Sequence, residues 1–213
     1  EKKIFSLKNK NILNTDIYCL TGEKFSLSRS NIEIVKQMIK ASIKLIQYRE
    51  KEKTMLFKYE ECKQIRELTK NAGVCFIIND DIDLALAIGA DGVHIGQEDM
   101  PIEEVRRLTG DDMIIGLSTH SPHQARMAVK RGADYIGVGP IFKTHTKKDV
   151  VDPVGYEYLE YINKNIDIPF VAIGGIKEDN VLEIVKRGAK CFAMVTEIVG
   201  ADDIEKKIIS IRN

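Results

Sequence analysis

The sequence predicts an α/β protein with the (βα)8 barrel fold, also called the TIM barrel. Eight short apolar runs alternate with segments of helical periodicity along 213 residues, a length that is just sufficient for eight such units. One unit recurs visibly, as AIGADGVHIG at 87–96, KRGADYIGVG at 130–139 and, more loosely, VKRGAKCFAM at 185–194. Each copy has the pattern of a helix end, a glycine turn and a strand buried on both faces, which is the repeat that a barrel requires.

The apolar runs give eight predicted strands, at 16–21, 44–49, 74–79, 91–95, 113–118, 134–138, 169–173 and 190–195. Between them apolar residues return at helical spacing, as in Ile34, Val35 and Met38, and Ser121 followed by Pro122 is typical of a helix start. The alternative fold is an open doubly wound sheet. The segment after the first strand, TGEKFS, contains one glycine where that fold has a glycine-rich fingerprint, so the barrel is favoured.

The composition indicates one ordinary globular domain. The 32 basic residues balance 32 acidic ones, which argues against a general nucleic-acid binder and against a membrane-surface protein. No run approaches the roughly eighteen apolar residues of a membrane span, and the first fifteen residues lack a secretory apolar segment. The four cysteines show no CxxC spacing, so we expect them to be reduced. We therefore expect a cytoplasmic protein, with residues 1–15 as an N-terminal extension and 16–213 as a single barrel domain.

Polar residues follow the second predicted strand in the segment QYREK. Because side chains of an extended segment alternate, Gln47, Arg49 and Lys51 share one face while Tyr48 and Glu50 take the other. The carboxyl ends of the strands form the active face of a barrel. An amide and two cations there suit a polyanionic substrate, since arginine can bind phosphate oxygens through two hydrogen bonds. The alternative is a solvated strand end.

Carboxylates follow the third and fourth predicted strands. Asn79 ends the third strand, Asp80 follows it directly, and Asp99 lies shortly after the fourth. Carboxylates at neighbouring strand ends can bind Mg²⁺, which takes few protein ligands and relies on substrate phosphates for the rest. Helix capping is the alternative, because helices are predicted to start near Ile82 and Pro101.

The fifth predicted strand ends in GLSTHSP. Ser118 keeps the parity of Gly116 and is placed to donate a hydrogen bond to a phosphate, whereas Ser121 is better explained as a helix cap. His120 and His123 have a spacing that suggests a metal, but no third ligand accompanies them, so zinc is disfavoured.

The segment after the sixth strand, 140–153, shows no periodicity, and unstructured loops of this length are usually functional or disordered. Its hydroxyl and ammonium groups, including Thr144 and Lys147, are able to close over an anion; a surface loop is the alternative. Gly174 and Gly175 after the seventh strand suit either a backbone phosphate site or a tight turn. Taken together, these strand ends predict a metal-assisted enzyme with two anion sites for phosphorylated or pyrophosphorylated small molecules.

The motifs QYREK, INDD, ADGVHIGQED, GLSTH, GADYIGVGPIF, TKKD and VAIGGI occur in this order over roughly residues 16–211. In combination they resemble the thiamine phosphate synthase family. The resemblance implies a transferase that joins hydroxymethylpyrimidine pyrophosphate to a thiazole phosphate, with pyrophosphate leaving first and Mg²⁺ assisting. No side-chain nucleophile is required for such a reaction, and no convincing Ser/His/Asp or Cys/His arrangement is present.

The resemblance also implies roles for individual residues. The pyrimidine pyrophosphate would be held by Gln47, Tyr48, Arg49, Glu50, Lys51, Asn79, Ser118 and Lys147, and catalysis would rest on Ser118, Lys147, Arg49 and Lys51. The thiazole phosphate would be held by Thr144, His145, Thr146, Gly175, Val195 and Thr196, and Mg²⁺ by Asp80 and Asp99. Two positions depart from the family pattern, since Lys143 replaces a usual proline and Thr196 a common serine. Because of these two differences, the resemblance does not predict how tightly the thiazole phosphate binds.

Two alternatives share the barrel. A related thiazole tautomerase would use an acid/base such as His120, but it needs neither the metal carboxylates nor the QYREK cations. A non-catalytic thiazole-phosphate binder with a regulatory role would be expected to have lost Asp80, Asp99 or Lys147, and all three are present. The synthase is therefore favoured, with the oligomeric state left open.

Overall fold

Eight parallel strands close on one another in the order of the chain. The computed structural model describes residues 13–144 and 151–213. The strands are β1 Ile17–Leu20, β2 Leu45–Tyr48, β3 Cys75–Asn79, β4 Gly92–Ile95, β5 Ile114–Thr119, β6 Tyr135–Val138, β7 Phe170–Ile173 and β8 Phe192–Met194. Strand β8 closes the barrel by pairing with β1, where Ile17 is opposite Phe192. The TIM barrel prediction is confirmed, and the open sheet is wrong.

Helices connect the strands and cover the barrel. They are α1 Asn31–Lys40, α2 Met55–Asn71, α3 Ile82–Ile88, α4 Ile102–Thr109, α5 Pro122–Lys130, α6 Gly155–Asn165, α7 Val181–Lys186, α8 Thr196–Val199 and α9 Ile204–Arg212. The predicted cap of α5 is confirmed, because the Gln124 backbone N–H donates to Ser121 Oγ over 3.3 Å and Pro122 is the first helical residue. Pro101 precedes α4 by one residue instead of opening it.

Glycines end the helices of the three recurring units. Gly89, Gly132 and Gly188 have φ values of 60°, 89° and 95°, a region that residues with a side chain rarely adopt. The interpretation of these units as helix end, turn and strand is therefore confirmed.

Side chains on each strand alternate between the barrel interior and the helix layer. Outward residues such as Ile46 and Ile78 belong to the large core between strands and helices. Inward residues such as Tyr18, Ile77 and Tyr135 form a second core inside the barrel. The same alternation at the carboxyl ends of the strands decides which side chains face the barrel mouth.

The first described residues close the other end of the barrel. Leu13 is buried with the interior core, and the Asp16 carboxylate accepts two hydrogen bonds from Arg212 at the end of α9, over 2.7 and 3.0 Å. Residues 1–12 lie outside the described residues, so the boundary at 15 stays a prediction.

All four cysteines are free thiols. Within 13–144 and 151–213, no helix is long and apolar enough to cross a bilayer.

Candidate active site

A cavity of about 340 Å³ opens at the carboxyl ends of the strands. It brings together six of the predicted site residues, Arg49, Ser118, Thr144, Gly175, Val195 and Thr196. Ser118 lies in β5, and the other five lie in the segments that follow β2, β6, β7 and β8, so their meeting point is set by barrel closure. The predicted residues His145, Thr146 and Lys147 lie outside the described residues, and their roles stay predictions.

Arg49 is the cationic group that lines this cavity from the β2 side. Its Nε atom is buried and makes no hydrogen bond to the described residues. Burial lowers the pKa of the Arg49 guanidinium, against the opposing effect of the carboxylates of Asp80 and Glu50. A buried cation with an unpaired donor is costly in isolation, so the site favours binding of an anion.

Tyr48 and Glu50 face away from the cavity, as the alternation predicted. The Tyr48 hydroxyl donates to the buried Glu61 of α2 over 2.6 Å. Glu50 accepts from the Glu23 backbone N–H over 3.0 Å and from Asn31 Nδ2 over 2.8 Å. These contacts hold the segment that carries Arg49, and they direct both side chains away from a substrate. A direct substrate contact by either side chain is therefore not supported.

The carboxylates predicted to bind a metal are already engaged. Asp80 pairs with Lys51, and Asp99 Oδ2 accepts from the Gly96 backbone N–H over 2.6 Å. Asp80 has a φ of 61°, a rare backbone conformation that aspartate tolerates better than most residues. Neither carboxylate caps its following helix: Asp81 occupies the cap position of α3 and binds Lys58 over 2.7 Å instead. The capping alternative is therefore wrong for Asp80 and Asp99.

The carboxylates of Asp80 and Asp99 fit a magnesium ion only when a substrate supplies further oxygen ligands. The two carboxylates follow adjacent strands, β3 and β4, and each contact described above uses one carboxylate oxygen. Within residues 13–144 and 151–213, no group of three or more His, Cys, Asp or Glu residues could hold a metal. Two carboxylates suit Mg²⁺ when phosphate oxygens and water supply the remaining positions.

Ser118 lines the cavity from β5, and a residue that the sequence analysis did not single out supports it. His94 points into the barrel from β4, and its Nε2 lies 2.9 Å from Ser118 Oγ. Gln97 Nε2 donates to the Ser118 carbonyl over 2.6 Å. Alternation within the motif GVHIG could have placed His94 on the inward face, because it has the same parity as Gly92. The other face of this strand, formed by Val93 and Ile95, is buried against the helices.

His120 also lines the cavity. Its Nδ1 lies 2.5 Å from the Gly139 carbonyl, which can only accept, so this nitrogen carries a proton. The His120 backbone N–H donates to Gln124 Oε1 over 2.7 Å. The ring is thereby tied to the loop that follows β6.

The β6 loop and the glycine turn after β7 lie against each other. Ile141 and Phe142 donate backbone hydrogen bonds to the carbonyls of Ile173 and Gly174, over 2.9 and 3.0 Å. A Cβ atom on Gly174 would lie 2.4 Å from Pro140, and one on Gly175 would lie 2.6 Å from the Lys143 carbonyl oxygen. Close backbone approach therefore requires both glycines. The Val154 N–H donates to the Pro140 carbonyl over 2.8 Å, which brings the two ends of the loop together.

The model of the family described as thiamine monophosphate synthase matches residues 17–198, from the start of β1 into α8. The chain belongs to this family. The match covers the segments that carry the cavity and the strand-end carboxylates, and the predicted family resemblance is confirmed.

Members of the thiamine monophosphate synthase family resemble the chain over nearly its whole length. This protein is 65% identical to the thiamine-phosphate synthase of Pelotomaculum thermopropionicum over 201 residues, which cover 94% of this chain and 92% of that relative. It is 54% identical to the thiamine-phosphate synthase of Caldicellulosiruptor saccharolyticus, over 98% of this chain and 92% of the relative. The solved thiamine phosphate pyrophosphorylase of Pyrococcus furiosus superposes with a TM-score of 0.86 at 34% identity, covering 96% of each chain.

The names of these family members support neither of the alternatives. Both curated relatives are named synthases, and the solved structure is named a pyrophosphorylase. The tautomerase and the non-catalytic regulator are therefore set aside.

Proposed function

We propose that the protein is a thiamine-phosphate synthase, a transferase that joins hydroxymethylpyrimidine pyrophosphate to a thiazole phosphate and releases pyrophosphate. The observation that carries this proposal is the shared cavity. Arg49 and Ser118 line it on one side, and Thr144 and the Gly174–Gly175 turn line it on another. Two anionic substrates can therefore bind next to each other at one barrel mouth.

The pyrophosphate belongs on the side of β2 to β5. Arg49 offers an unpaired donor there, Ser118 offers a hydroxyl, and Lys51 lies on the same face of the β2 segment. Asn79 ends β3 on the interior parity and is opposite His94 in the sheet register. Lys147, from the loop after β6, adds a further cation in this proposal. The donors together suit the several oxygens of a pyrophosphate.

The thiazole phosphate belongs on the side of β7 and β8. Gly175, Val195 and Thr196 line the cavity there, and Thr144 reaches it from the β6 loop. Asn180 Nδ2 donates to the Gly175 carbonyl over 3.0 Å, which fixes the glycine turn. We place the phosphate at this turn, where barrels of this kind commonly hold one, with His145 and Thr146 as further ligands.

The reaction breaks the bond between the pyrimidine methylene carbon and the pyrophosphate oxygen, and the electron pair stays on the oxygen. The methylene cation that remains is attacked by the thiazole nitrogen, which forms the new carbon–nitrogen bond. Arg49, Lys51 and Lys147 stabilise charge that grows on the departing oxygens, so they favour the transition state over the bound substrate. Ser118 donates to the same group. Asp80 and Asp99 would hold Mg²⁺, which would supply Lewis-acid neutralisation of the pyrophosphate.

The partners of this reaction are small phosphorylated molecules, which agrees with the absence of net charge. We place the enzyme in the cytoplasm, where its four free thiols would stay reduced.

The proposal is tested by mixing the purified protein with both substrates and Mg²⁺ and separating the products by chromatography. We expect thiamine phosphate to appear only when both substrates are present. Pyrophosphate release without thiamine phosphate would indicate a hydrolase and would contradict the proposal. In the same assay, Arg49→Met removes the positive charge that lines the cavity from the β2 side and is expected to lose most of the activity while the barrel remains folded.

A further inference from the structure

A chain of polar side chains crosses the interior of the barrel and ends at Ser118. Gln47 Nε2 donates to the Tyr18 hydroxyl over 2.8 Å, and that hydroxyl lies 3.0 Å from the Tyr135 hydroxyl. The Tyr135 hydroxyl lies 2.9 Å from His94 Nδ1, and His94 Nε2 lies 2.9 Å from Ser118 Oγ. These hydrogen bonds link Ser118 to Gln47, which the family resemblance predicts at the pyrimidine pyrophosphate, through three residues that have no assigned role.

In this chain of hydrogen bonds, only one choice of donor and acceptor at each contact leaves every group paired. The amide nitrogen of Gln47 can only donate, so the Tyr18 oxygen accepts from it and the Tyr18 hydroxyl donates to Tyr135. Tyr135 then donates to His94 Nδ1, which leaves the proton of a neutral imidazole on Nε2, facing Ser118. In the opposite order the Tyr18 oxygen would accept twice, and its proton would have no acceptor among these five residues.

Burial supports this order. Tyr18 and Tyr135 are 2% and 0% exposed, and Gln47 is 3% exposed, so an unpaired donor here would be costly. Burial also raises the pKa of both tyrosines, and both phenols therefore keep their protons at the pH values where enzymes work. Ser118, at the other end, is only half-buried and reaches the cavity.

Two strand glycines make room for the rings. A Cβ atom on Gly116 would lie 2.1 Å from Tyr135 Cζ and 2.5 Å from His94 Nδ1. A Cβ atom on Gly137 would lie 3.3 Å from His94 Cε1. Interior strand positions of barrels are usually filled by branched apolar residues. The glycines at these positions leave space for an imidazole and a phenol in contact, at a ring separation of 5.5 Å.

We infer that the interior chain holds His94 with its proton on Nε2 and thereby turns the Ser118 hydroxyl proton toward the cavity. Because Ser118 Oγ accepts from His94 Nε2, its own proton is free to be donated to an oxygen of the leaving pyrophosphate. His94 and Tyr135 are thus positioning residues that act through Ser118. This inference rests on the proposed function for the identity of the acceptor, while the proton placement on His94 can be measured without any substrate.

The first test is the tautomer of His94 in the ligand-free protein, read from imidazole ¹⁵N chemical shifts of uniformly labelled protein. The signal of His94 is the one missing from the spectrum of His94→Gln. We expect the Nε2–H tautomer in the wild type and a loss of that preference in Tyr135→Phe, which removes the donor to Nδ1. A wild-type Nδ1–H tautomer would overturn the inference, and this result needs neither activity nor a folded Tyr135 variant.

The second test is a double-mutant cycle between Tyr135 and Ser118, which are linked only through His94 in the chain. Tyr135→Phe is expected to lower kcat about fivefold with the KM for the thiazole phosphate unchanged, and to have less than about a twofold effect in the Ser118→Ala background. Equal effects in both backgrounds would contradict the inference. Tyr158→Phe is the matched control, because it also removes a buried tyrosine hydroxyl, one that donates to Thr119 over 2.7 Å outside the chain.

The two tests separate this inference from the proposed function. If the wild type makes no thiamine phosphate, the proposed function fails, while the tautomer measurement still decides the proton placement. If condensation is observed and the His94 tautomer is Nδ1–H, the inference alone fails.

Discussion

Lys51 and Asp80 form an ion pair across the ends of β2 and β3. The lysine was predicted to bind pyrophosphate and the aspartate to bind Mg²⁺, so in the ligand-free protein the two groups neutralise each other. Both groups would therefore take on new partners when substrate and metal bind. The pair therefore couples the proposed metal site to the pyrophosphate site.

Lys51→Met is expected to strengthen the binding of Mg²⁺ alone. The substitution removes the cation that competes for the Asp80 carboxylate, and for a solvent-exposed pair the gain in affinity is about fivefold. Turnover should fall, since a pyrophosphate ligand is lost. Titration calorimetry measures the affinity, with Lys186→Met as the control, because that lysine pairs with Glu183 on the outside of α7. Unchanged Mg²⁺ affinity in Lys51→Met would show that Asp80 is not a ligand.

Mg²⁺ is expected to bind weakly without a substrate and tightly with pyrophosphate present. Asp80 and Asp99 supply only two carboxylates, so the remaining coordination positions depend on phosphate oxygens and water. Calorimetric titration with and without pyrophosphate gives the comparison, and excess chelator should abolish condensation. Full turnover in excess chelator would remove the metal from the proposed reaction.

Ser118→Ala is expected to lower turnover about tenfold or more, because it removes a donor to the departing group. The free energy of unfolding should change by less than about 1 kcal/mol, since the hydroxyl is only half-buried. Rapid-quench kinetics and chemical denaturation give the two quantities. A variant that is fully active but clearly less stable would make Ser118 a structural residue.

Lys147→Ala is expected to lower the rate of condensation more than the affinity for either substrate. A cation near the leaving pyrophosphate stabilises the transition state more than the bound substrate, because charge grows as the bond to carbon breaks. Single-turnover rates at saturating Mg²⁺ measure the effect, with Lys164→Ala on α6 as the control. A change in KM alone would assign Lys147 to substrate binding.

Asp16→Asn is expected to make the free energy of unfolding fall less steeply as the pH is lowered. Burial raises the pKa of Asp16, but the hydrogen bonds and charge of Arg212 outweigh it, so the folded-state pKa lies below the unfolded value. This contribution to stability is present above the unfolded pKa and is lost as the pH falls through the folded pKa. Urea unfolding from pH 7 down to pH 3 compares wild type with Asp16→Asn and with Asp111→Asn, an exposed control. Identical curves for wild type and Asp16→Asn would contradict the account.

The sequence predicted those features that depend on local pattern. All eight strands were located to within a residue or two because buried parallel strands are short apolar runs between turn signals. Alternation within QYREK correctly separated Arg49 from Tyr48 and Glu50. Parity likewise placed Ser118 at the mouth.

Features that depend on barrel closure were not predicted. The polar chain from Gln47 to Ser118 joins β1, β2, β4, β5 and β6, and its members gain partners only when the strands meet across the interior. The pairing of Lys51 with Asp80 likewise depends on the neighbouring register of β2 and β3. His94 was not singled out from the sequence, because alternation alone gives no information about the residue that an inward side chain meets across the barrel.

The central claim is that both substrates react at one barrel mouth, with pyrophosphate as the leaving group. Its most direct test is a single turnover with enzyme in excess, in which pyrophosphate and thiamine phosphate are quantified in the same quenched samples. The account predicts that the two products form at the same rate in equal amounts, and that Arg49→Met slows both together. Pyrophosphate without thiamine phosphate, or tautomerisation of the thiazole without condensation, would contradict it.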